Sequence, residues 1–276
     1  MGSQPPPPMP HVRTQFGGDP TLAAEEMLHT IAESIKRQPR SLQKRIGPSE
    51  IGQACTRRLG YKLLGVAEKE RPPAWKPTIG TAVHSHLESV FDAYNVAHLD
   101  DGQERYAIET TLTVGKLGDT PITGTADIYD RITGTNWDWK VVGPTQLKKY
   151  RASGPGEQYR TQAHLYGQGW WNAGHVCTHV GVIFLPRNGE LSDAHIWCEK
   201  FDPVVARDAL DRLNRVHDAI AADGAGALED MPTSDDWCRY CPWFASGSTD
   251  LAAGCPGHPA ATVNQPDQTQ LVGLLG

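Results

Sequence analysis

The chain lacks several features that would assign it to common protein classes. It has no apolar run that approaches the roughly 20 residues needed to cross a bilayer. Its first ten residues are rich in proline and have no apolar core, so they do not resemble a secretory signal peptide. It also lacks a glycine-rich phosphate loop followed by Lys and Ser or Thr, so no ATP-driven motor is expected. These absences predict a soluble, cytoplasmic protein with no membrane partner and no ATP ligand.

The cysteines are few, and the fold does not need them as staples. There are six in 276 residues, a length that can bury a sufficient core by itself, and structural disulfides are not expected in a cytosolic chain. Cys238 and Cys241 form a C-x₂-C pair, a spacing typical of metal ligation, and Cys255 follows in a Gly-Cys-Pro setting. Cys177 and Cys198 are expected to be plain thiols in or near predicted strands.

The net charge of −6 weighs against a nucleic-acid ligand, but the charge is unevenly spread. Residues 36–62 contain eight basic side chains and one acidic side chain, Glu50. A second basic stretch, from Lys140 to Arg160, is opposed by Glu157 alone. Such patches can bind phosphates, although an ordinary solvated helix face explains them equally well.

Hydrophobic periodicity predicts helices on both sides of a strand-rich middle. The predicted helices cover residues 21–37 (capped by Asp19 or Thr21), Ser49 to about Leu64 with a stop at Gly65, Thr78 through Phe91, 158–171 and 203–222. The predicted strands cover residues 106–114, 122–129, 136–142, 179–185 and 195–199, and a turn at 130–134 joins the second and third as a hairpin. This order predicts an α/β fold with a mixed central sheet flanked by helices. We expect a disordered Pro-rich lead-in over 1–18, a single domain over 19–255 and a loose tail over 256–276.

The most informative segment is the predicted strand 136–142, Asn-Trp-Asp-Trp-Lys-Val-Val. Alternate residues of a strand share a face, so Asp138 and Lys140 point one way while the Trp and Val side chains between and after them point the other. A half-exposed salt bridge is one explanation. The other is a metal site, in which Asp138 binds a hard divalent cation and Lys140 positions or activates an attacking water.

Other elements supply polar groups that suit such a site. The hairpin can place Asp127 beside Asp138, and two such carboxylates would repel each other unless a cation lay between them. His84 and Glu88 are four residues apart on one helix face, whereas His86 lies about half a turn away and faces elsewhere. Taken alone, His84 is more often a surface or core histidine than a metal ligand.

In combination, these residues resemble the motif series of RecB-type nucleases of the PD-(D/E)xK superfamily. The series reads Gly80-xxx-His84-xxx-Glu88, Gly124-xx-Asp127, Asp138-x-Lys140 and Gln162-xxx-Tyr166. The resemblance spans about residues 49–255, and it departs from the literal motif in that no proline precedes Asp127. It implies a restriction-endonuclease-like core and a metal-dependent DNA exonuclease that prefers single-stranded ends, with 5′→3′ polarity, in recombination, repair or DNA processing.

The resemblance also implies a role for each site residue. His84, Asp127, Asp138 and the carbonyl of Trp139 would hold Mg²⁺ or Mn²⁺, and Lys140 would serve the nucleophilic water. Gln162 and Tyr166 would orient the DNA strand and the lysine, and Glu88 would support the site through water. The rival expectations are a structure-specific or nicking DNA endonuclease, and a cysteine-metal DNA-binding module that has lost catalysis.

Two further segments are similar to the iron–sulfur nucleases of this superfamily. They are Pro48-Ser-Glu-Ile-Gly-xx-Cys55-xx-Arg58-xx-Tyr61 and Cys238-Arg-Tyr-Cys241-Pro242. The relatives include the AddB-type nuclease domain and CRISPR-associated and phage exonucleases, which implies a bacterial or phage-infected host cytoplasm and a possible helicase or recombination partner. Their layout of one cysteine before the nuclease motifs and three after implies a [4Fe–4S] cluster held by Cys55, Cys238, Cys241 and Cys255, with Zn²⁺ as the alternative. The gap between Cys241 and Cys255 is longer than this pattern.

Overall fold

The computed structural model describes residues 19–37, 45–69, 73–99, 102–235 and 238–260. The chain separates into two compact units, Met1–Leu42 and Gln43–Gly276. In the first unit, the described part is a helix, α1 (Pro20–Lys36), which Asp19 caps by accepting a hydrogen bond from Thr21 N at 2.8 Å. The lead-in expected over residues 1–18 and most of the expected tail, residues 261–276, lie outside the described residues. One domain over 19–255 stays a prediction.

The second unit is built around a mixed sheet. The helices in its described part are α2 (Pro48–Ile51), α3 (Thr56–Leu63), α4 (Trp75–Ala97), α5 (Pro144–Ser153), α6 (Gly156–Asn172) and α7 (Pro203–Asp223). The strands are β1 (Tyr106–Leu117), β2 (Thr120–Asp130), β3 (Thr135–Val142), β4 (His179–Pro186) and β5 (His195–Lys200), and they form a five-stranded sheet in the order β1-β2-β3-β4-β5.

All neighbouring strands of the sheet are antiparallel except β3 and β4. These two strands are parallel because α5 and α6 connect them as a crossover, whereas a short turn suffices between antiparallel strands. The mixed α/β architecture with a central sheet flanked by helices is therefore confirmed. None of the helices in the described part of the chain is long and apolar enough to span a membrane.

Helix α6 forms the centre of the core. Nine of its 17 residues are buried, and it packs against β1, β3 and β4 of the sheet and against α2 and α7. Trp170 is 2% exposed, and Leu165 and Leu213 of α7 are fully buried. Because α6 is buried on several sides, its polar residues that face the sheet must find partners there, and one of them, Gln162, lies at the candidate site.

Two helix predictions do not match the structure. The prediction of a single helix from Ser49 to Leu64 is wrong. Helix α2 begins after Gly47, Ser49 does not cap it, and residues 52–55 between α2 and α3 are not helical. Between the two helices, an added Cβ on Gly52 would lie 2.7 Å from the carbonyl oxygen of Gln158 in α6. The close packing of Gly52 against α6 therefore sets the direction of the backbone here. Helix α5 was not predicted at all, because its weak amphipathic pattern does not stand out from a loop.

Candidate active site

Asp127 and Asp138 lie where strands β2 and β3 separate. The pairing of the two strands ends at Ile128 and Trp137, so Asp127 and Asp138 are the next residue on each strand. Asp127 Oδ2 accepts a hydrogen bond from Trp139 N at 2.8 Å, which holds the carboxylate against β3. The hairpin therefore brings the two carboxylates close together, and the charge of Asp127 adds to burial in raising the pKa of Asp138.

Asp138 is a buried carboxylate with incomplete hydrogen bonding. Gln162 Nε2 donates a hydrogen bond to its Oδ1 at 2.8 Å. Its Oδ2 forms an ion pair with Lys140 Nζ but has no hydrogen bond of favourable geometry, and that atom is shielded from solvent. Burial raises the pKa of Asp138 to about 6, with the charge of Lys140 lowering it and that of Asp127 raising it. The salt bridge anticipated from the sequence is thus present, but it is buried and not half-exposed.

Lys140 is held from two sides. Besides the ion pair with Asp138, its Nζ lies over the ring of Tyr159, 5.1 Å from the ring centroid. A cation over an aromatic face is attracted by the ring quadrupole. The ammonium group is therefore kept on the same face of β3 as Asp138, with 16% of the side chain exposed to solvent.

Helix α4 presents His84 to the same point. The Nε2 atom of His84 lies 3.1 Å from the carbonyl oxygen of Trp139, and its Nδ1 atom lies 3.5 Å from Asp127 Oδ1. Burial lowers the pKa of His84, but the hydrogen bond and charge of Asp127 outweigh it, so the pKa is raised. Asp127 responds in the opposite sense: burial raises its pKa, but His84, Lys140 and the N–H of Trp139 together lower it.

Contacts nearer the C-terminal end of α4 fix the helix against the sheet. The ring of Phe91 stacks on Trp139 with 5.7 Å between centroids. The side-chain amide of Asn95 forms two hydrogen bonds with the backbone of Tyr106 in β1. Its Nδ2 donates to the carbonyl of Tyr106 at 2.8 Å, and its Oδ1 accepts from the N–H of Tyr106 at 3.1 Å. His84 is two turns earlier on the face that Phe91 shares, so these contacts position it.

Glu109 also belongs to this site, although the sequence reasoning missed it. Glu109, His84 and Asp127 each offer one ligand atom, and these atoms all lie within 4.8 Å of one another. Glu109 is exposed to solvent, and partial desolvation together with the charge of Asp127 raises its pKa to about 7. An acidic side chain amid the Thr and Ile residues of β1 is a weak signal for it, because the sequence does not show which β2 residue it faces.

The backbone of Glu109 is strained. Among the described residues it is the non-glycine residue with a positive φ, 42°. A side chain held in a sparsely populated backbone region costs roughly 1–3 kcal/mol and persists where the surrounding structure imposes it. Two like charges opposite each other on paired strands add a further destabilising contact.

The site carries more negative than positive charge. The carboxylates of Glu109, Asp127 and Asp138 meet the ammonium of Lys140 and the imidazole of His84. The raised pKa values of Glu109 and Asp138 reflect this imbalance together with burial. Carboxylate oxygens, an imidazole nitrogen and a main-chain carbonyl form a donor set suited to Mg²⁺ or Mn²⁺. The residues present therefore fit a hard divalent cation.

The remaining predicted site residues occupy different positions. Glu88 is exposed on α4, one turn after His84, and its charge contributes to the raised pKa of Glu109. Tyr166 is 5% exposed and lies against Gly124, where an added Cβ would be 3.1 Å from the Tyr166 hydroxyl. Because Gly124 has no side chain, the hydroxyl of Tyr166 can lie close to the backbone of β2. Contacts of Gln162 and Tyr166 with a DNA strand stay predictions.

The structure gathers four of the six cysteines around one cavity of about 30 Å³. They are Cys55, Cys238, Cys241 and Cys255. The N–H of Gly257 donates to Cys255 Sγ at 3.4 Å, and the N–H of His258 donates to Cys238 Sγ at 3.3 Å. All six cysteines are free thiols, and Cys177 and Cys198 lie apart, Cys177 just before β4 and Cys198 exposed on β5.

Protein contacts also join the two sides of this cavity. Arg57 of α3 donates to the carbonyl oxygens of Leu228 at 2.8 Å and Glu229 at 3.1 Å. Tyr61 donates its hydroxyl to the carbonyl of Leu251 at 2.6 Å. Burial raises the pKa values of Cys238 and Cys241, and neighbouring cysteines raise them further. The raised pKa values favour the protonated thiols. A bound metal would favour the thiolates instead.

The comparisons with known proteins found distant structural similarity. No protein-family model and no curated protein match the sequence. The crystal structure of SSO0001 aligns over 80% of this chain and 94% of its own, with a TM-score of 0.47 and 16% identity. An alkaline exonuclease from Laribacter hongkongensis, LHK-Exo, aligns over 67% of this chain and 90% of its own, with a TM-score of 0.43 and 10% identity. LHK-Exo in complex with dAMP aligns over 65% of this chain and 91% of its own, with a TM-score of 0.38 and 10% identity. At these values the similarities assign no function to this chain.

Proposed function

We propose that the chain is a metal-dependent DNA nuclease of the PD-(D/E)xK type, which acts as an exonuclease on DNA ends and prefers single strands. The observation that supports this most directly is the arrangement around the Trp139 peptide. Its N–H bonds to Asp127, its carbonyl oxygen faces His84, and the residues on either side, Asp138 and Lys140, form a buried ion pair. The G-xx-D and D-x-K motifs imply such an arrangement, with 5′→3′ polarity as the expectation from the resemblance.

The cation would be Mg²⁺ or Mn²⁺, held by His84, Asp127, Asp138 and the carbonyl oxygen of Trp139. When bound, it would supply electrostatic stabilisation for the charge that develops on the scissile phosphate. Gln162 holds Asp138 Oδ1 in place through its hydrogen bond of 2.8 Å. The amide thus keeps the other carboxylate oxygen on the side of Lys140.

Lys140 is placed to position the attacking water. The ion pair with Asp138 and the ring of Tyr159 keep the ammonium on the ligand-bearing face of β3. From there, Nζ donates a hydrogen bond to the water and reduces its freedom before attack. In the reaction, the water oxygen bonds to phosphorus and releases a proton to solvent, the phosphodiester P–O bond breaks, and the leaving oxygen takes up a proton, so the number of protons is conserved.

We also propose that the four cysteines bind a [4Fe–4S] cluster, with Zn²⁺ as the alternative. The shared cavity and the two N–H···S hydrogen bonds support thiolate ligation, since such bonds stabilise negative charge on sulfur. Cys55 precedes the candidate catalytic residues, and the other three cysteines follow them. The metal would therefore be a structural staple that closes the domain, and not the nuclease centre.

Digestion of labelled DNA by the wild type and Lys140→Ala tests the proposal. With Mn²⁺ or Mg²⁺, the wild type should release nucleotides from linear single strands, act more slowly on duplexes and leave circular single strands intact; EDTA should stop the reaction. Lys140→Ala should bind DNA in a fluorescence anisotropy titration but cleave at least about 10²-fold more slowly. The control is Lys116→Ala, an exposed lysine on β1, which should cleave at the wild-type rate.

The other outcomes identify the rivals. Wild-type rates for Lys140→Ala would contradict the assigned role of the lysine. Cleavage of the circular substrate would indicate a structure-specific or nicking endonuclease. DNA binding without metal-dependent cleavage would indicate a DNA-binding module that has lost catalysis.

A further inference from the structure

We propose that Glu109 is a direct ligand of the divalent cation, and that strand β1 thereby contributes to the metal site with His84 and Asp127. The inference deepens the proposed nuclease function and rests on its metal site. The family motifs found in the sequence lie on a helix, on the β2–β3 hairpin and on a later helix, and none of them includes a residue of β1.

The strand register explains how Glu109 reaches the site. Ile108 pairs with Ile128 and Thr110 pairs with Ala126, so Glu109 lies across from Asp127, at the point where its positive φ interrupts the ladder. Directly opposite residues of antiparallel strands project from the same face of the sheet. The ligand atoms of Glu109, Asp127 and His84 accordingly lie within 4.8 Å of one another, a spacing that one cation can bridge.

An independent observation concerns the neighbouring carboxylate, Asp138, which is buried and incompletely hydrogen-bonded. Asp138 is 2% exposed, and its shielded Oδ2 has no hydrogen bond of favourable geometry. Lys140 forms an ion pair with that oxygen, and His84 contacts Asp127, so the three carboxylates of Asp138, Asp127 and Glu109 face one ammonium and one imidazole. A divalent cation would offset the negative charge that these two groups leave uncompensated.

The backbone of Glu109 makes a purely structural role difficult to explain. Its φ of 42° lies in the region that favours glycine, and glutamate has no intrinsic preference for it. What glutamate offers there, and glycine does not, is a carboxylate beside His84 and Asp127. A hard cation binds more tightly as the number of charged oxygen ligands rises.

The test measures Mn²⁺ binding without DNA, by calorimetry and by the EPR signal of free Mn²⁺. Glu109→Gln removes the charge and keeps the side-chain shape. Glu109→Gly removes the carboxylate and relieves the positive φ, so it separates ligand loss from misfolding. Both variants should bind Mn²⁺ about tenfold or more weakly than the wild type. Asp119→Asn, an exposed carboxylate at the β1–β2 turn, should bind Mn²⁺ as the wild type does.

Two patterns would overturn the assignment. One is wild-type Mn²⁺ affinity in both Glu109 variants, and the other is a wild type that binds no Mn²⁺. The nuclease proposal fails separately: if the wild type binds Mn²⁺ through Glu109 but cleaves no DNA, the ligand assignment stands and the function is wrong. If the wild type cleaves DNA and both variants bind Mn²⁺ normally, the function stands and the ligand assignment is wrong.

Discussion

Replacing Asp138 with asparagine should stabilise the metal-free protein. In the native state Asp138 is 2% exposed, and burial raises its pKa to about 6, whereas an aspartate of the unfolded chain has a pKa of about 3.9. Above pH 6 the folded protein therefore keeps a charged carboxylate away from water, which lowers the free energy of unfolding. Asparagine has nearly the same shape and can still accept the hydrogen bond from Gln162, but it carries no charge.

The pKa difference sets the size of the effect. About 2 pKa units correspond to roughly 3 kcal/mol, because each unit is worth about 1.4 kcal/mol. The attraction of Lys140 is already part of that pKa, but the amide that replaces the carboxylate turns its NH₂ group toward the ammonium, so we expect a gain of about 1–3 kcal/mol at pH 7 in EDTA. At about 2–4 °C per kcal/mol for a domain of this size, the unfolding midpoint should rise by about 2–12 °C.

The sign of the pH dependence follows from the raised pKa. Below about pH 4, Asp138 is protonated in both states, and wild type and variant should be equally stable. Between about pH 4 and pH 6 the folded state binds more protons than the unfolded state, so the wild type loses stability relative to the variant as the pH rises. Thermal unfolding in EDTA across this range, followed by circular dichroism, measures the difference.

Asp130→Asn is the matched control, and we expect it to change the free energy of unfolding in the opposite direction. Asp130 is 4% exposed on β2, but it accepts hydrogen bonds from the Arg105 guanidinium at 3.0 and 2.9 Å. Burial raises its pKa, yet Arg105 and Thr133 outweigh burial, and the pKa is lowered. Its charge therefore stabilises the fold above the unfolded-state pKa of about 3.9, and this contribution is lost as the pH falls. Asp130→Asn should destabilise the protein at pH 7.

Addition of Mn²⁺ should reverse the order of the wild type and Asp138→Asn. At 1,000 times its dissociation constant, a ligand specific for the folded state adds about 4.1 kcal/mol, which exceeds the expected advantage of the variant, and only the wild type keeps the ligand set intact. If Asp138→Asn is less stable than the wild type in EDTA at pH 7, the carboxylate is well satisfied in the native state. The reasoning from its burial would then be refuted.

Two further predictions concern the histidines and the cysteines. His84→Ala should weaken Mn²⁺ binding by about tenfold or more in a calorimetric titration, whereas His86→Ala, an exposed residue of α4, should bind as the wild type does. Cys55→Ser should lower the unfolding midpoint and the iron or zinc content, because a metal centre that joins it to the C-terminal cysteines closes a loop worth roughly 4–5 kcal/mol of denatured-state entropy. Cys198→Ser should change neither quantity. A wild type that contains no iron or zinc and is fully stable would contradict the proposal that a metal at the four cysteines stabilises the domain.

The local pattern of the sequence was enough to predict the main elements and part of the site. Strand alternation placed Asp138 and Lys140 on one face of β3, and the turn after Asp130 predicted the hairpin that brings Asp127 near them. Helical spacing placed Gln162 on a helix, and the structure shows it bonded to Asp138. These features depend on chain geometry over a few residues, which a sequence displays directly.

The tertiary structure decided what depends on distant contacts. The predicted helix after Ser49 is broken because Gly52 packs against the backbone of α6, more than 100 residues later in the sequence. The break leaves Cys55 extended at the start of α3, where it lines the cavity with the three C-terminal cysteines. Helical periodicity contains no information about that contact, so the pattern alone favoured one continuous helix.

The position of Glu109 shows the same limit most clearly. In regular register, the turn that pairs Leu117 with Thr120 would set Glu109 opposite Ile128. A shift between Thr113 and Gly115 moves the register by one residue and sets Glu109 opposite Asp127. A slip of one residue exchanges the two faces of a strand, so this bulge decides whether the carboxylate reaches the site. An added Cβ on Gly115 would lie 2.6 Å from the Leu210 side chain of α7, so the bulge occurs where β1 packs against a helix distant in the sequence.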